Sequence, residues 1–373
     1  MRRSVAIAVL LCVSIIVAAC GSSTSATLPS TETTTSSSAT PQSGTPAATL
    51  AATTVASPAA ATGSTSGTPP KITIATGFNP SMNSAAIYLA AEKGYYADAG
   101  LDVTIKDGSN PALLAQIGSG AIQFGVSTGD AVIPARAAGV PVQTVIQIFT
   151  KYPVGLITLS NGGPSISSPV DLKGLNIGVS QLSGSTYFGL LALLQAGNLT
   201  KDDVKITTIG FTELEALSQK HVDAAMTYLS NEPVNAKDAG IQTNALLVSA
   251  YVQLVSSGLV TSDEMVKDHP DIVQKVVDAT VKAMNDELKT PDDAYQATIK
   301  RMPELTTEQD KQTQRDILTE TLKYQQPIAD HPTGWGDPAA WQTTATFLKR
   351  VGVITKDVDP LSCYTNQFVE QAK

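Results

Sequence analysis

Residues 71–105 read KITIATGFNPSMNSAAIYLAAEKGYYADAGLDVTI. Lys71–Ala75 alternates β-branched and small residues as a short strand does, and Gly77 to Ser81 reads as the loop that follows. Ala85, Ala86, Leu89 and Ala90 then recur at helical spacing, and Gly94 ends that helix before Tyr95 and Tyr96. Leu101 to Ile105 returns to strand, and Pro111 to Ile117 to helix. Alternation of strand and helix from Lys71 onward predicts an open α/β sheet.

Working outward toward the C-terminus, the pattern repeats. Gln123 to Val126, Val142 to Phe149 and Gly155 to Leu159 read as strands, with a helix from Asp130 to Ala138. After Gly162, Gly163 and Pro164 the alternation begins again. Asn176 to Val179, Val204 to Ile209 and Val222 to Thr227 are the strands of this second half, separated by helices at Thr186 to Ala196 and Glu213 to Gln219. Two α/β lobes are therefore expected. Beyond Val260 the reading is helical, over Asp271 to Leu288, Pro291 to Lys300, Thr307 to Leu322 and Pro338 to Val351, a tail that fits back on the first lobe.

The N-terminal direction is different in kind. Arg2 and Arg3 precede an apolar stretch from Val5 to Val17, and Val17-Ala18-Ala19-Cys20 closes it with small residues before a cysteine. This is the expected form of a cleaved leader, residues 1–19, with Cys20 lipidated as the first mature residue; a retained anchor helix is the alternative. From Gly21 to Pro70 the chain is almost wholly Ser, Thr, Ala, Pro and Gly, with Glu32 its one charge. Such a segment builds no core and reads as a tether with a root-mean-square reach of roughly 40 Å.

Composition sets limits on function. The 373 residues carry a formal net charge of -8, which argues against a nucleic-acid surface. The three cysteines, Cys12, Cys20 and Cys363, give no disulfide framework. His221, His269 and His331 are scattered and suggest neither a catalytic nor a metal cluster.

In open α/β sheets, ligands sit at the carboxyl ends of strands, and two facing lobes make a cleft there. Ser183, Ser185, Thr186 and Tyr187 begin a helix after a strand, where they serve either as a cap or as ligand contacts. Asp130 stands in the same way after another strand. Glu232, before Pro233, offers a carboxylate to hydroxyl or ring N–H donors, or simply favours the helix start beside Asn231. Asn79 and Asn83 provide both donor and acceptor on the first loop, or form its turn. Tyr88, Tyr152, Tyr187 and Tyr228 lie near these loops as stacking candidates.

Ala86 to Tyr96, Gly100 to Val103 and Asp171 to Gly174 resemble the solute-binding lipoproteins of ABC importers in the nitrate, sulfonate and taurine group. Gly129-Asp130 with Ala135 to Pro141, Lys151 to Gly155 and Tyr228 to Val234 look like the branch similar to the thiamine-pyrimidine-precursor synthase. Gly184 to Tyr187 and Ile209 to Thr212 are most similar to its riboflavin-binding members. The resemblance implies a two-lobed, type II periplasmic-binding-protein-like fold with two lobe crossings, placed near Ser160 and Tyr251. Lobe 1 would span 71–160, lobe 2 161–251, and 252–373 would return to lobe 1. It also implies a monomeric, lipid-anchored extracytoplasmic receptor that holds riboflavin as transported ligand, without a cofactor of its own. Its partners would be an ABC permease and, through it, an ATPase. A pyrimidine precursor, a sulfonate- or nitrate-type anion, a synthase-like enzyme and a sensor lipoprotein are the alternatives; the synthases' cysteine-rich motif is missing here.

Overall fold

The computed structural model describes residues 68–372. The expected leader, Cys20 and nearly all of the expected tether lie outside the described residues.

Ten strands form two five-stranded sheets. They are β1 Lys71–Ala75, β2 Asp102–Lys106, β3 Phe124–Thr128, β4 Val142–Gln147, β5 Val154–Leu159, β6 Asn176–Val179, β7 Lys205–Thr208, β8 Ala224–Tyr228, β9 Thr243–Leu247 and β10 Ser257–Ser262. The first sheet has the order β2-β1-β3-β10-β4 and the second β7-β6-β8-β5-β9. In each, three neighbouring strands run parallel and one central strand runs antiparallel: β10 between β3 and β4, β5 between β8 and β9. The two halves are thus built to one plan, and the chain passes between them twice.

The first passage lies at residues 148–153, not near Ser160. Gly155 pairs with Thr227 on one side and Leu247 on the other, so β5 belongs to the second sheet. Its apolar run fits either sheet, and only the pairing assigns it. The second passage, residues 248–256, contains Tyr251 and leads into β10, a strand absent from the sequence reading, as was β9. Ser257 to Ser262 carries small polar ends and Thr243 to Leu247 is half exposed, so neither shows a strand alternation.

The helices are α1 Ala85–Glu92, α2 Tyr95–Asp98, α3 Leu113–Gly118, α4 Gly129–Ala137, α5 Gly184–Ala196, α6 Glu213–Ser218, α7 Glu232–Asp238, α8 Asp263–Asp268, α9 Pro270–Lys289, α10 Pro291–Ile299, α11 Glu308–Leu322 and α12 Pro338–Arg350. Proline opens α9, α10 and α12 at the first helical position, where its missing N–H costs nothing. Along α9, Val273, Val276, Val277, Thr280, Ala283 and Met284 form one buried stripe. Each buried valine contributes roughly 1.5–3 kcal/mol, enough to hold α9 against α1 without help from propensity. The C-terminal helices therefore complete the first lobe, with α12 against α4, and Thr144 bridges to Tyr364 near the chain end. Val234 of α7 is buried in the first-lobe core, and Tyr324 packs against both lobes.

Candidate functional site

The parallel strands of both sheets end on loops that start helices: β1 leads to a single helical turn at Met82–Ser84 and β3 to α4 in the first lobe, and β6, β7 and β8 lead to α5, α6 and α7 in the second. Side chains on these loops meet at the junction of the lobes.

Asp130, in the first turn of α4, is fully buried. The Thr128 hydroxyl donates to its Oδ1, and Ser185 Oγ of α5 donates to the same oxygen at 3.2 Å from the opposite lobe. Tyr152 of the first passage places its hydroxyl 2.6 Å from Asp130 Oδ2 and 2.9 Å from the Ser185 carbonyl. Burial raises the Asp130 carboxyl above the ordinary range, while the three hydroxyls act in the other direction. Burial likewise pushes the Tyr228 hydroxyl up to about 12, with Ser185 opposing the rise and Asp130 adding to it. Asp130, Tyr152, Ser185 and Tyr228, more than 20 residues apart at every step of chain, thus form one polar cluster across the lobes.

A second group lies wholly in the second lobe. Glu232 opens α7 and accepts from the Thr227 hydroxyl, while Asn231 before it accepts from Ser230 at 3.0 Å. Glu213 opens α6 and is 6% exposed. Burial pushes its carboxyl up to about 7, and the charge of Glu232 adds to that rise. Burial also raises Glu232.

The remaining expected residues are spread out. Asn79 is exposed beside Phe78, and Asn83 is half-buried with the Thr321 hydroxyl 3.4 Å from its Oδ1. Tyr88 is enclosed in the first lobe at 2% exposure, donating to Asp107 at 2.7 Å with the Arg301 guanidinium over its ring. It offers no open ring face, and neither does Tyr152, which is fully buried. Ser183 precedes α5 without a side-chain cap bond, so capping does not account for it. Thr186 is 2.9 Å from Ser180 Oγ, and Tyr187 tilts against Phe188 at 6.1 Å between ring centres.

Sequence reading missed Glu213, Asp107, Arg301 and Phe211. Glu213 carried a usable signal, an acidic residue opening a helix at the carboxyl end of a strand. Phe78, Leu182 and Phe211, each on a strand-end loop, leave large apolar side chains exposed, 84% in the case of Phe211. A depression of about 350 Å³ lies elsewhere, on the outer face of α12 between Gln342, Lys349 and Asp357. None of the residues above lines it.

The sequence profile described as NMT1/THI5 like matches residues 81–294. Riboflavin-binding protein RibY of Chloroflexus aurantiacus is 31% identical over 304 residues, covering 80% of this chain and 86% of that protein. The 4-amino-5-hydroxymethyl-2-methylpyrimidine phosphate synthase of Legionella pneumophila is 22% identical over 304 residues, 80% of this chain and 92% of the enzyme. Among solved structures, the periplasmic aliphatic sulphonate binding protein SsuA from Escherichia coli superposes with a TM-score of 0.64 at 17% identity, over 79% of this chain and 96% of that one. The fold is the two-lobed periplasmic-binding-protein-like type.

Proposed function

This chain belongs to the NMT1/THI5-like family, and on that premise we propose that it is an extracytoplasmic solute-binding receptor of an ABC importer, capturing riboflavin between its lobes. The observation that carries the reading is the 31% identity to a riboflavin-binding protein over 80% of the chain, a stretch long enough to take in nearly all the described residues. The loop chemistry supports it. A flavin needs apolar cover for a flat ring and polar partners for its edge, and the strand-end loops carry both kinds of side chain: Phe78, Leu182 and Phe211, and Asn79, Ser183, Asn231 and Glu232. Ligand held by both lobes favours the closed arrangement, because only that arrangement contacts it from two sides. A permease that docks the closed form then receives the solute.

In this reading the leader is removed, Cys20 carries acyl chains, and the tether lets the receptor work away from the bilayer surface as a monomer. Replacement Cys20→Ser should release the expressed protein from the membrane fraction. The pyrimidine phosphate synthases, 25% identical over 319 residues in Saccharomyces cerevisiae, favour a pyrimidine precursor as the second ligand to try. Titration of the purified full chain with riboflavin, followed by flavin fluorescence and calorimetry, tests the reading. One-to-one saturable binding, with the flavin recovered unchanged, is expected. Absence of binding would remove riboflavin as ligand, and consumption of the ligand would make the protein an enzyme.

A further inference from the structure

Three helix starts beside the interlobe loops carry the chain's own carboxylates: Asp130 in α4, Glu213 in α6 and Glu232 in α7. A free helix start favours a bound anion, but here a resident carboxyl takes that place. No cation pairs with these carboxyls among the described residues: Arg301 is paired to Asp107 at 2.7 Å, and Lys151 on the first passage is exposed to solvent.

Asp130 lies within hydrogen-bond reach of three hydroxyls from both lobes, whereas Glu213 has no other side chain to serve it among the described residues. It is 6% exposed, and apart from its own backbone N–H it has no hydrogen-bond donor among the described residues. Glu232, its neighbour, accepts from Thr227 through one oxygen only. A largely enclosed carboxyl with few donors of its own leaves acceptor positions open, so this pair is placed to accept from outside the chain. Phe211, 84% exposed and two residues before Glu213 in the chain, brings an apolar side chain to the same loop. An apolar face beside unserved acceptors suits a flat ring that carries hydroxyl or N–H donors. A phosphate or sulfonate in the same position meets like charge in a poorly solvated wall.

We propose that Glu213 and Glu232 form a charge-selecting wall of the cleft, which accepts hydrogen bonds from the donors of an uncharged ligand and rejects the phosphorylated form of that ligand. The inference rests on the solute-receptor reading above. It assigns to Glu213 a part in specificity, and it predicts that a dephosphorylating reaction outside the cell precedes uptake when the available source is the phosphate ester.

The test is calorimetric titration of the purified full chain with two pairs of compounds: riboflavin and its 5′-phosphate, and hydroxymethyl-aminopyrimidine and its phosphate. The uncharged member of the bound pair should bind at least ~10-fold tighter than its phosphate. The double variant Glu213→Gln/Glu232→Gln should close most of that gap by strengthening phosphate binding, with thermal melting run in parallel to establish that it folds. Equal affinity of the wild-type chain for alcohol and phosphate would overturn the proposal without any variant. So would an unchanged gap in a double variant that melts like the parent. A silent flavin pair together with a discriminating pyrimidine pair would end the riboflavin reading and leave the charge-selecting wall standing.

Discussion

The Tyr152 hydroxyl lies 2.6 Å from Asp130 Oδ2, a contact between the first interlobe passage and the start of α4 from which solvent is shut out. The same hydroxyl is 2.9 Å from the Ser185 carbonyl, and one phenolic proton cannot serve two acceptors at once. A protonated Asp130, the form that burial favours, would resolve this. It donates to Tyr152, which donates to Ser185, while Thr128 and Ser185 donate to Asp130 Oδ1. Asparagine reproduces that pattern, with Nδ2 as donor and Oδ1 as acceptor. Asp130→Asn should therefore stay within about 1 kcal/mol of the parent at low pH, where the carboxyl is protonated, and Asp130→Ala should lose about 2–4 kcal/mol there. Because the folded-state carboxyl is raised, its contribution to stability is greatest at low pH and is lost as pH rises through the raised value. Urea denaturation across pH should show the parent falling relative to Asp130→Asn as pH increases. A parallel pair of curves would mean that Asp130 is ionised throughout.

Close packing at the same junction gives a second prediction. A Cβ on Gly129 would lie 2.3 Å from Val255 Cγ1 on the second passage, and the Gly129 N–H donates to Ser256 at 3.0 Å. Gly129→Ala should destabilise by about 1–3 kcal/mol through overpacking. Adding Val255→Gly removes both obstructing atoms, Cγ1 at 2.3 Å and Cβ at 2.6 Å, so the double variant should lose less than the sum of the single changes. Additive losses would locate the effect of Gly129→Ala in the backbone and not in Val255.

How much of this was legible depended on whether the information was local. The alternation of Lys71–Ala75 with the helix and strand after it was enough to expect an α/β lobe, and restarting that pattern after Pro164 was enough to expect two. Membership of β5 in the second sheet was not local, since it rests on Gly155 facing Thr227 and Leu247. Asp130, Tyr152 and Ser185 were each marked out by position near a strand end, but separations of 22 and 33 residues hid their contact. Tyr88 was misjudged for the converse reason: it follows a strand-end loop in sequence, yet the helical turn directs it inward to Asp107.

Glu287 could have been found from periodicity alone. It continues the stripe of Thr280, Ala283 and Met284 on α9, and it is 1% exposed with neither carboxyl oxygen hydrogen-bonded among the described residues. Burial pushes its carboxyl up to about 8. Folding therefore requires it to take up a proton at neutral pH, and its effect on stability worsens from the ordinary glutamate range upward, levelling above about 8. Relative to the parent, Glu287→Gln should gain stability as pH rises, by at most about 1.4 kcal/mol per pH unit, and the gain should stop growing past that point. Denaturation at three pH values reads this directly, and a difference independent of pH would show the group to be uncharged in both states or charged in both.

Phe211 separates packing from ligand recognition. A ring 84% exposed contributes little to the fold, so Phe211→Ala should change stability by no more than about 0.5 kcal/mol. If it covers one face of a bound ring, the same change should weaken riboflavin binding by about 3- to 10-fold, the range expected for one aromatic contact beyond its buried area. Phe211→Tyr, which keeps the ring, should bind like the parent, whereas Phe211→Leu, which keeps only apolar area, should fall between. Titrating the three variants with riboflavin orders them by ring character. Equal affinity for all three would take Phe211 off the ligand surface and leave its exposure to be explained by contact with the permease.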